Sequence, residues 1–209
     1  MKKKLKVDEW LIFFKRHPEK KLFSKSDLMQ LTQTSKSSLS VQLTRLVKTK
    51  VINRVAQAWY ENPFNTPSAE EIAMVIRHPA YISMEYALSK HGILSQAAYT
   101  LTLITTKLPY TYKTKQTVYE YHQIGKSLFW GYKKDETVQI AEPEKALLDL
   151  IYIRHIKNKE LNINGIASLL NDMSIDEFNL ETLQNYSQKY SKKIRKILSQ
   201  LDLTGKKKK

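Results

Sequence analysis

The apolar positions of this chain change period several times, and those changes mark out its elements. Over Val7–Lys15, Trp10, Leu11 and Phe14 share one side of a helical repeat. This predicts a helix that Pro18 closes. Leu22 and Phe23 follow as apolar anchors entering the next helix. Ser24, with Asp27 three residues on, has the form of a capping box, and Leu28 and Leu31 give the helix behind it a narrow stripe. Thr32, Gln33 and Thr34 make a polar break without glycine. Ser35 then caps a second helix to about Lys48, on which Leu39, Leu43, Leu46 and Val47 share a face. Beyond it, residues 51–55 and 58–60 are β-prone runs around Ala56-Gln57, a hairpin pattern. Helix, helix, tight turn, helix, hairpin is the order of a winged helix-turn-helix.

Residues 62–68 carry two prolines and no periodicity, so they are expected to be the boundary between domains. Ser68 and Glu71 form a second capping box, opening a helix with Ile72, Val75 and Ile76 that ends before Pro79. Tyr81-Ile82 is extended. Ser83 is expected to cap a helix over residues 84–91, with Gly92 in the left-handed position past its end. Alternation predicts strands at 99–106 and 117–124, and a hairpin of 128–132 with 136–140 around Lys133-Lys134-Asp135. Pro143 suits the first turn of a helix over 142–155, whose apolar face holds Ala146, Leu147, Leu150, Ile151 and Ile153. A short helix is expected at 164–171. Ser174 and Glu177 mark another cap, and a long helix is expected from Leu180 to Leu201. The whole is an α+β chain. An N-terminal winged helix-turn-helix domain (1–62) precedes a mixed α/β domain (63–209) with a mainly antiparallel sheet and a C-terminal helical segment. The closing residues 205–209 are low in complexity and expected to lack fixed structure.

Charge sharpens this division. The chain of 209 residues has a formal net charge of +15, but residues 1–62 hold +9, residues 63–188 hold −2 and residues 189–209 hold +8. Two basic ends around a neutral body point to a nucleic-acid-binding head and a module with another task. No carboxylate occurs between Asp27 and Glu61. A solvated helix usually mixes signs, because opposite charges at i,i+4 support each other. A helix with only cations and hydroxyls suits a surface pressed against phosphates. The candidate DNA contacts are Lys25, Lys36, Ser37, Ser38, Val41, Gln42, Arg45, Lys48, Arg54 and Gln57. Gln42 and Arg45 can pair with base edges. Lys25, Lys36, Lys48 and Arg54 are expected mainly to hold phosphates, and Arg54 and Gln57 belong to the wing.

Other chemistry is thin. There is no cysteine, and no two of the five histidines have metal-ligand spacing on one helix. None of the five glycines makes a phosphate-cradling loop. No cofactor, metal or catalytic residue is expected, and the chain is read as a cytoplasmic non-enzyme with no membrane span. Asp135 with Glu142-Pro143-Glu144-Lys145 is weakly similar to the acids of metal-dependent nucleases. However, the proline and the spacing favour a helix start, with Glu142 and Glu144 at its positive end and Lys145–Asp149 an ordinary i,i+4 pair.

Several pieces recur together in one family: Tyr81-Ile82-Ser83, His91-Gly92-Ile93, the strand ending Ile104-Thr105-Thr106-Lys107, Leu128-Phe129-Trp130-Gly131-Tyr132 and Ala141-Glu142-Pro143-Glu144-Lys145-Ala146-Leu147-Leu148-Asp149. From about Ser24 to Ile153 the chain resembles the antitoxins of AbiE abortive-infection, type IV toxin–antitoxin systems. The resemblance implies a winged helix that represses its own operon at double-stranded DNA of its promoter, with inverted repeats. It also implies a C-terminal domain that counters a nucleotidyltransferase-like toxin without a stable complex. A stand-alone winged-helix regulator, whose second domain binds a ligand or a protein, is the alternative.

Overall fold

A computed structural model describes residues 5–96, 99–201 and 203. The low-complexity tail expected at 205–209 lies outside them. The chain divides into two compact units, Met1–Ile76 and Arg77–Lys209.

In the first unit the elements are α1 (Val7–Lys15), β1 (Leu22–Ser24), α2 (Lys25–Thr32), α3 (Lys36–Lys48), β2 (Arg54–Ala56), β3 (Trp59–Glu61) and α4 (Ala69–Ile76). Trp10 and Phe14 of α1, Leu28 of α2, and Leu39, Leu43 and Leu46 of α3 meet Phe23, Ile52 and Tyr60 in one core. Leu22 and Phe23 lead into α2 as a strand, not only as apolar anchors. They form a third strand, giving the antiparallel order β1-β3-β2, with Phe23 opposite Tyr60. Burying Phe23 fixes that register, because a one-residue slip would turn it to solvent. The Ser24–Asp27 box closes α2 as expected, each side chain meeting the other residue's backbone N–H (3.0 and 3.1 Å).

The boundary expected after residue 62 is not a break in packing. Asn62 is fully buried, and its amide NH2 reaches the carbonyls of Phe14, His17 and Lys20 (3.3, 2.9 and 3.0 Å). Glu71, held by the Ser68 capping box, accepts from Lys21 at 3.0 Å, and α4 packs on β2. Prolines interrupt the backbone ladder here without ending the fold, so the first unit continues to Ile76.

The second unit is α+β. It contains β4 (Ala80–Ile82), α5 (Met84–Lys90), β5 (Thr100–Thr105), β6 (Tyr110–Lys113), β7 (Val118–Gln123), β8 (Tyr132–Asp135), β9 (Val138–Ala141), α6 (Pro143–Leu150), α7 (Ile163–Asn171), α8 (Leu180–Ser187) and α9 (Lys192–Gln200). The six-stranded order is β6-β7-β5-β4-β9-β8. The pairs β5–β7 and β4–β9 are parallel and the other three antiparallel, so the sheet is mixed, with antiparallel pairs in the majority. The β8–β9 hairpin turns at Glu136-Thr137, not at Lys133–Asp135, with Glu136 left-handed (φ +48°).

The helix expected over 142–155 is α-helical only to Leu150 and continues as a π-helix, Ile151–Lys157. The long helix expected from Leu180 to Leu201 is two helices. Its break lies where Tyr190 turns into the interior and Ser191 starts α9. α8 is capped by Asn179, which accepts from the Thr182 N–H at 2.9 Å, rather than from Ser174.

Candidate nucleic-acid interface

Two short helices and the turn between them set the orientation of α3. Gln33 ends α2 in the left-handed region (φ +51°), so the polar break needs no glycine to turn sharply. The Lys25 ammonium donates to Ser40 Oγ at 2.6 Å, tying the start of α2 to the outer side of α3. At the far end, Lys50 is left-handed (φ +57°), and its N–H and that of Val51 bond back to Val47 and Leu46 (3.0 and 2.9 Å). This is a Schellman closure, and it sends the chain into β2 and β3. Ala58 takes the left-handed place in their turn (φ +62°), beside exposed Gln57.

The leucine face of α3 is buried, so the opposite face is open. Lys36, Ser37, Val41, Thr44, Arg45 and Lys48 are all exposed, Val41 at 68%. No carboxylate lies in the first turn of α3, and Lys36 occupies it. A cation at a helix N-terminus opposes the macrodipole, and an external anion would offset that cost. Arg54 is exposed on β2, its Nε donating to Ala56 O at 3.2 Å.

Three expected contacts, Gln42, Ser38 and Lys25, are placed otherwise. Gln42 is buried at 5% exposure. Its Oε1 accepts from the Leu5 N–H (2.9 Å) and from Trp10 Nε1 (3.1 Å), and its Nε2 donates to Ser38 Oγ (3.1 Å). Both ends of the amide are therefore spent inside the fold. Gln42 holds α1 against α3, and half-buried Ser38 serves it. The signal was present: at about 100° per residue, position 42 lies about 40° from Leu46 on the wheel, on the inner side. Lys25 is half-buried and engaged with Ser40, so it sits behind the exposed face.

The second unit holds a polar cluster that spacing alone presents as an ordinary surface pair. Lys145 and Asp149 are both fully buried and form an ion pair. Lys145 also donates to Tyr81 OH (2.9 Å) and Tyr190 OH (2.7 Å). Asp149 accepts from Tyr81 OH (2.9 Å), Ser83 Oγ (2.9 Å) and Tyr190 OH (2.7 Å). Ser83 therefore spends its hydroxyl on Asp149 and makes no side-chain cap on α5. The Trp130 ring lies 5.1 Å from the Lys145 ammonium. Gly131 is left-handed (φ +74°), and a Cβ there would sit 3.0 Å from Lys145 Cγ, so any other residue would be strained and would press on the Lys145 stem. Burial pushes the Lys145 pKa down against the pull of Asp149, and burial first, then Asp149, pushes Tyr81 and Tyr190 well up.

Beside this cluster, buried Glu144 accepts from the Asn179 N–H at 2.7 Å, and Glu142 accepts from Tyr186 OH. Glu142 and Glu144 thus flank the start of α6 as expected, but each is also a docking point for α8. Among the described residues, no group of three His, Asp or Glu side chains could hold a metal ion. Nor is any described helix long and apolar enough to cross a membrane. No known family model matches the chain, and no curated protein matches it.

Proposed function

We propose that this protein is a DNA-binding regulator of the antitoxin kind. In this reading α2, the Gln33 turn and α3 are a helix-turn-helix, and β2–β3 is its wing. The exposed, carboxylate-free face of α3 carries the proposal. Lys36 and Lys48 neutralise phosphates, Ser37 and Thr44 let the backbone approach, and Arg45 reads a base edge in the major groove beside Val41. Arg54 and Gln57 extend the contact from the wing. The duplex is that of its own promoter, bound as a repressor.

The antitoxin part rests on the family resemblance. It is supported by the convergence of the separate pieces of that resemblance, Tyr81 and Ser83, Trp130 and Gly131, Lys145 and Asp149, on one buried cluster. The second unit, with no enzymatic role, then counters a nucleotidyltransferase-like toxin without binding it stably.

A fluorescence-anisotropy titration of the full chain on promoter and random duplexes tests the first part. Affinity should fall steeply with salt and favour the promoter. Salt-independent binding, or none, would sink it. Growth after induction of the nucleotidyltransferase-like product of a neighbouring gene tests the second. No rescue by the full chain would leave a stand-alone regulator.

A further inference from the structure

Between the end of the π-helix and α9 lies a cavity of about 510 Å³. Ile156, Leu161 and buried Ile197 give it an apolar floor, and the exposed Lys159, Lys193 and Lys196 stand around it. No carboxylate is among its described lining residues. Glu160, between the lining residues Lys159 and Leu161, is engaged by Arg154 (2.7 Å) and Asn158 (2.9 Å). None of the three lysines forms an ion pair among the described residues.

The arrangement is costly without an anion. Three ammonium groups share one opening, and Lys192 and Lys193 lie in the first turn of α9, where the helix dipole disfavours cations. The cap of α7 opens on the same cavity. Asn162 lines it, and with Oδ1 committed to the Gly165 N–H (2.8 Å), its NH2 end remains to donate. A bare phosphate would use the lysines and leave the apolar floor empty. The volume is that of a small-molecule site, and the chemistry is that of a flat, weakly polar ring joined to several negative oxygens.

We propose that this cavity binds a nucleotide, its phosphates on Lys159, Lys193 and Lys196 and its base on Ile156, Leu161 and Ile197. The nucleotide is either free or an unstacked residue of a single strand. The site shares no residue with the DNA-reading face of α3, so the two proposals fail separately.

Isothermal titration calorimetry of the full chain with ATP, inorganic triphosphate and a six-nucleotide thymidine strand tests it. Saturable ATP binding is expected, tighter than that of triphosphate. Lys193→Ala/Lys196→Ala should weaken it about tenfold or more, with circular dichroism unchanged. Arg45→Ala/Lys48→Ala should leave it unaltered. A strand that ATP displaces makes a strand the source of the nucleotide, and a strand that does not bind makes it free nucleotide. The proposal is overturned if ATP gives no saturable binding, if triphosphate binds as tightly as ATP, or if the double lysine variant binds ATP like the parent.

Discussion

Gln42 and Arg45 lie about one helical turn apart on α3 but do different work. Gln42 satisfies Trp10 Nε1 and the Leu5 N–H inside the head, while Arg45 is exposed on the outward face. Gln42→Ala should therefore cost about 1–3 kcal/mol of stability, by stranding buried donors, and leave promoter preference unchanged once folded. Arg45→Ala should leave stability alone and lose about 1–3 kcal/mol of preference for promoter over random DNA. Urea denaturation and anisotropy separate the two, and swapped effects would mean that α3 is rotated from the register described. Lys145 obeys a different rule. Losing one member of a buried ion pair costs about 3–5 kcal/mol, because the other is left charged and unpaired. Asp149→Asn is expected to fall in that range near neutral pH. Its deficit should shrink as pH rises. Burial depresses the folded-state pKa of Lys145 below the ordinary 10.5 while Asp149 pulls it up, so without that carboxylate it falls further and the variant gains more stability than the parent as pH rises. Between the folded and unfolded values the unfolded state binds more protons, so stability climbs with pH there. Urea midpoints at about pH 7 and about pH 9 check this, and a deficit that grows with pH would contradict it.

At the scale of elements, α6 is the member on which the second unit is arranged. Its N-terminus receives α8 through Tyr186–Glu142 and Asn179–Glu144, and its middle receives Tyr190 through Lys145 and Asp149. The Tyr186 hydroxyl is the largest influence holding the Glu142 pKa below its ordinary value. A carboxyl with a depressed folded pKa contributes stability above its unfolded value and loses it as pH falls through the folded one. Tyr186→Phe should therefore flatten the fall in stability below about pH 4.5, measured by thermal unfolding across pH. An unchanged acid limb would remove Tyr186 from that role. The same helix explains what was legible in advance. Its apolar face and Pro143 start could be read from local spacing, as could the leucine face of α3 and both capping boxes. The partners of its polar residues could not. Lys145 and Asp149 have the spacing of a surface pair, and only the arrival of Tyr81, Ser83 and Tyr190 from distant positions encloses them. For the same reason the helix expected across 180–201 had no visible break: nothing local announces that Tyr190 must turn inward. Parallel pairing of β5 with β7 was equally hidden, because β6, the strand that returns the chain between them, is only four residues long and mostly exposed.

At the scale of the molecule, the question is where the N-terminal unit, the proposed DNA-binding head, ends. The prolines and the charge step near residue 62 suggest a cut there, but the packing places it after Ile76. Asn62 closes three carbonyls around the end of α1, Glu71 pairs with Lys21, and α4 packs on β2. A fragment of residues 1–62 keeps the exposed face of α3 but loses α4 and the Glu71 partner. It is expected to unfold at lower urea than residues 1–76, which retain every one of these contacts. Hydrophobic burial by α4 and a half-buried ion pair together amount to about 1–3 kcal/mol, a large share of the stability of so small a unit. Residues 1–76 should bind the promoter duplex with the salt dependence of the full chain. Residues 77–209, with their own sheet and core, should fold alone and carry any protection against the toxin. Denaturation of both head fragments, anisotropy on the promoter, and growth under toxin induction with each fragment in trans measure these outcomes. Equal stability of the two head fragments would restore the boundary at residue 62. Rescue by residues 1–76 alone would mean that protection acts through transcription rather than through the second unit.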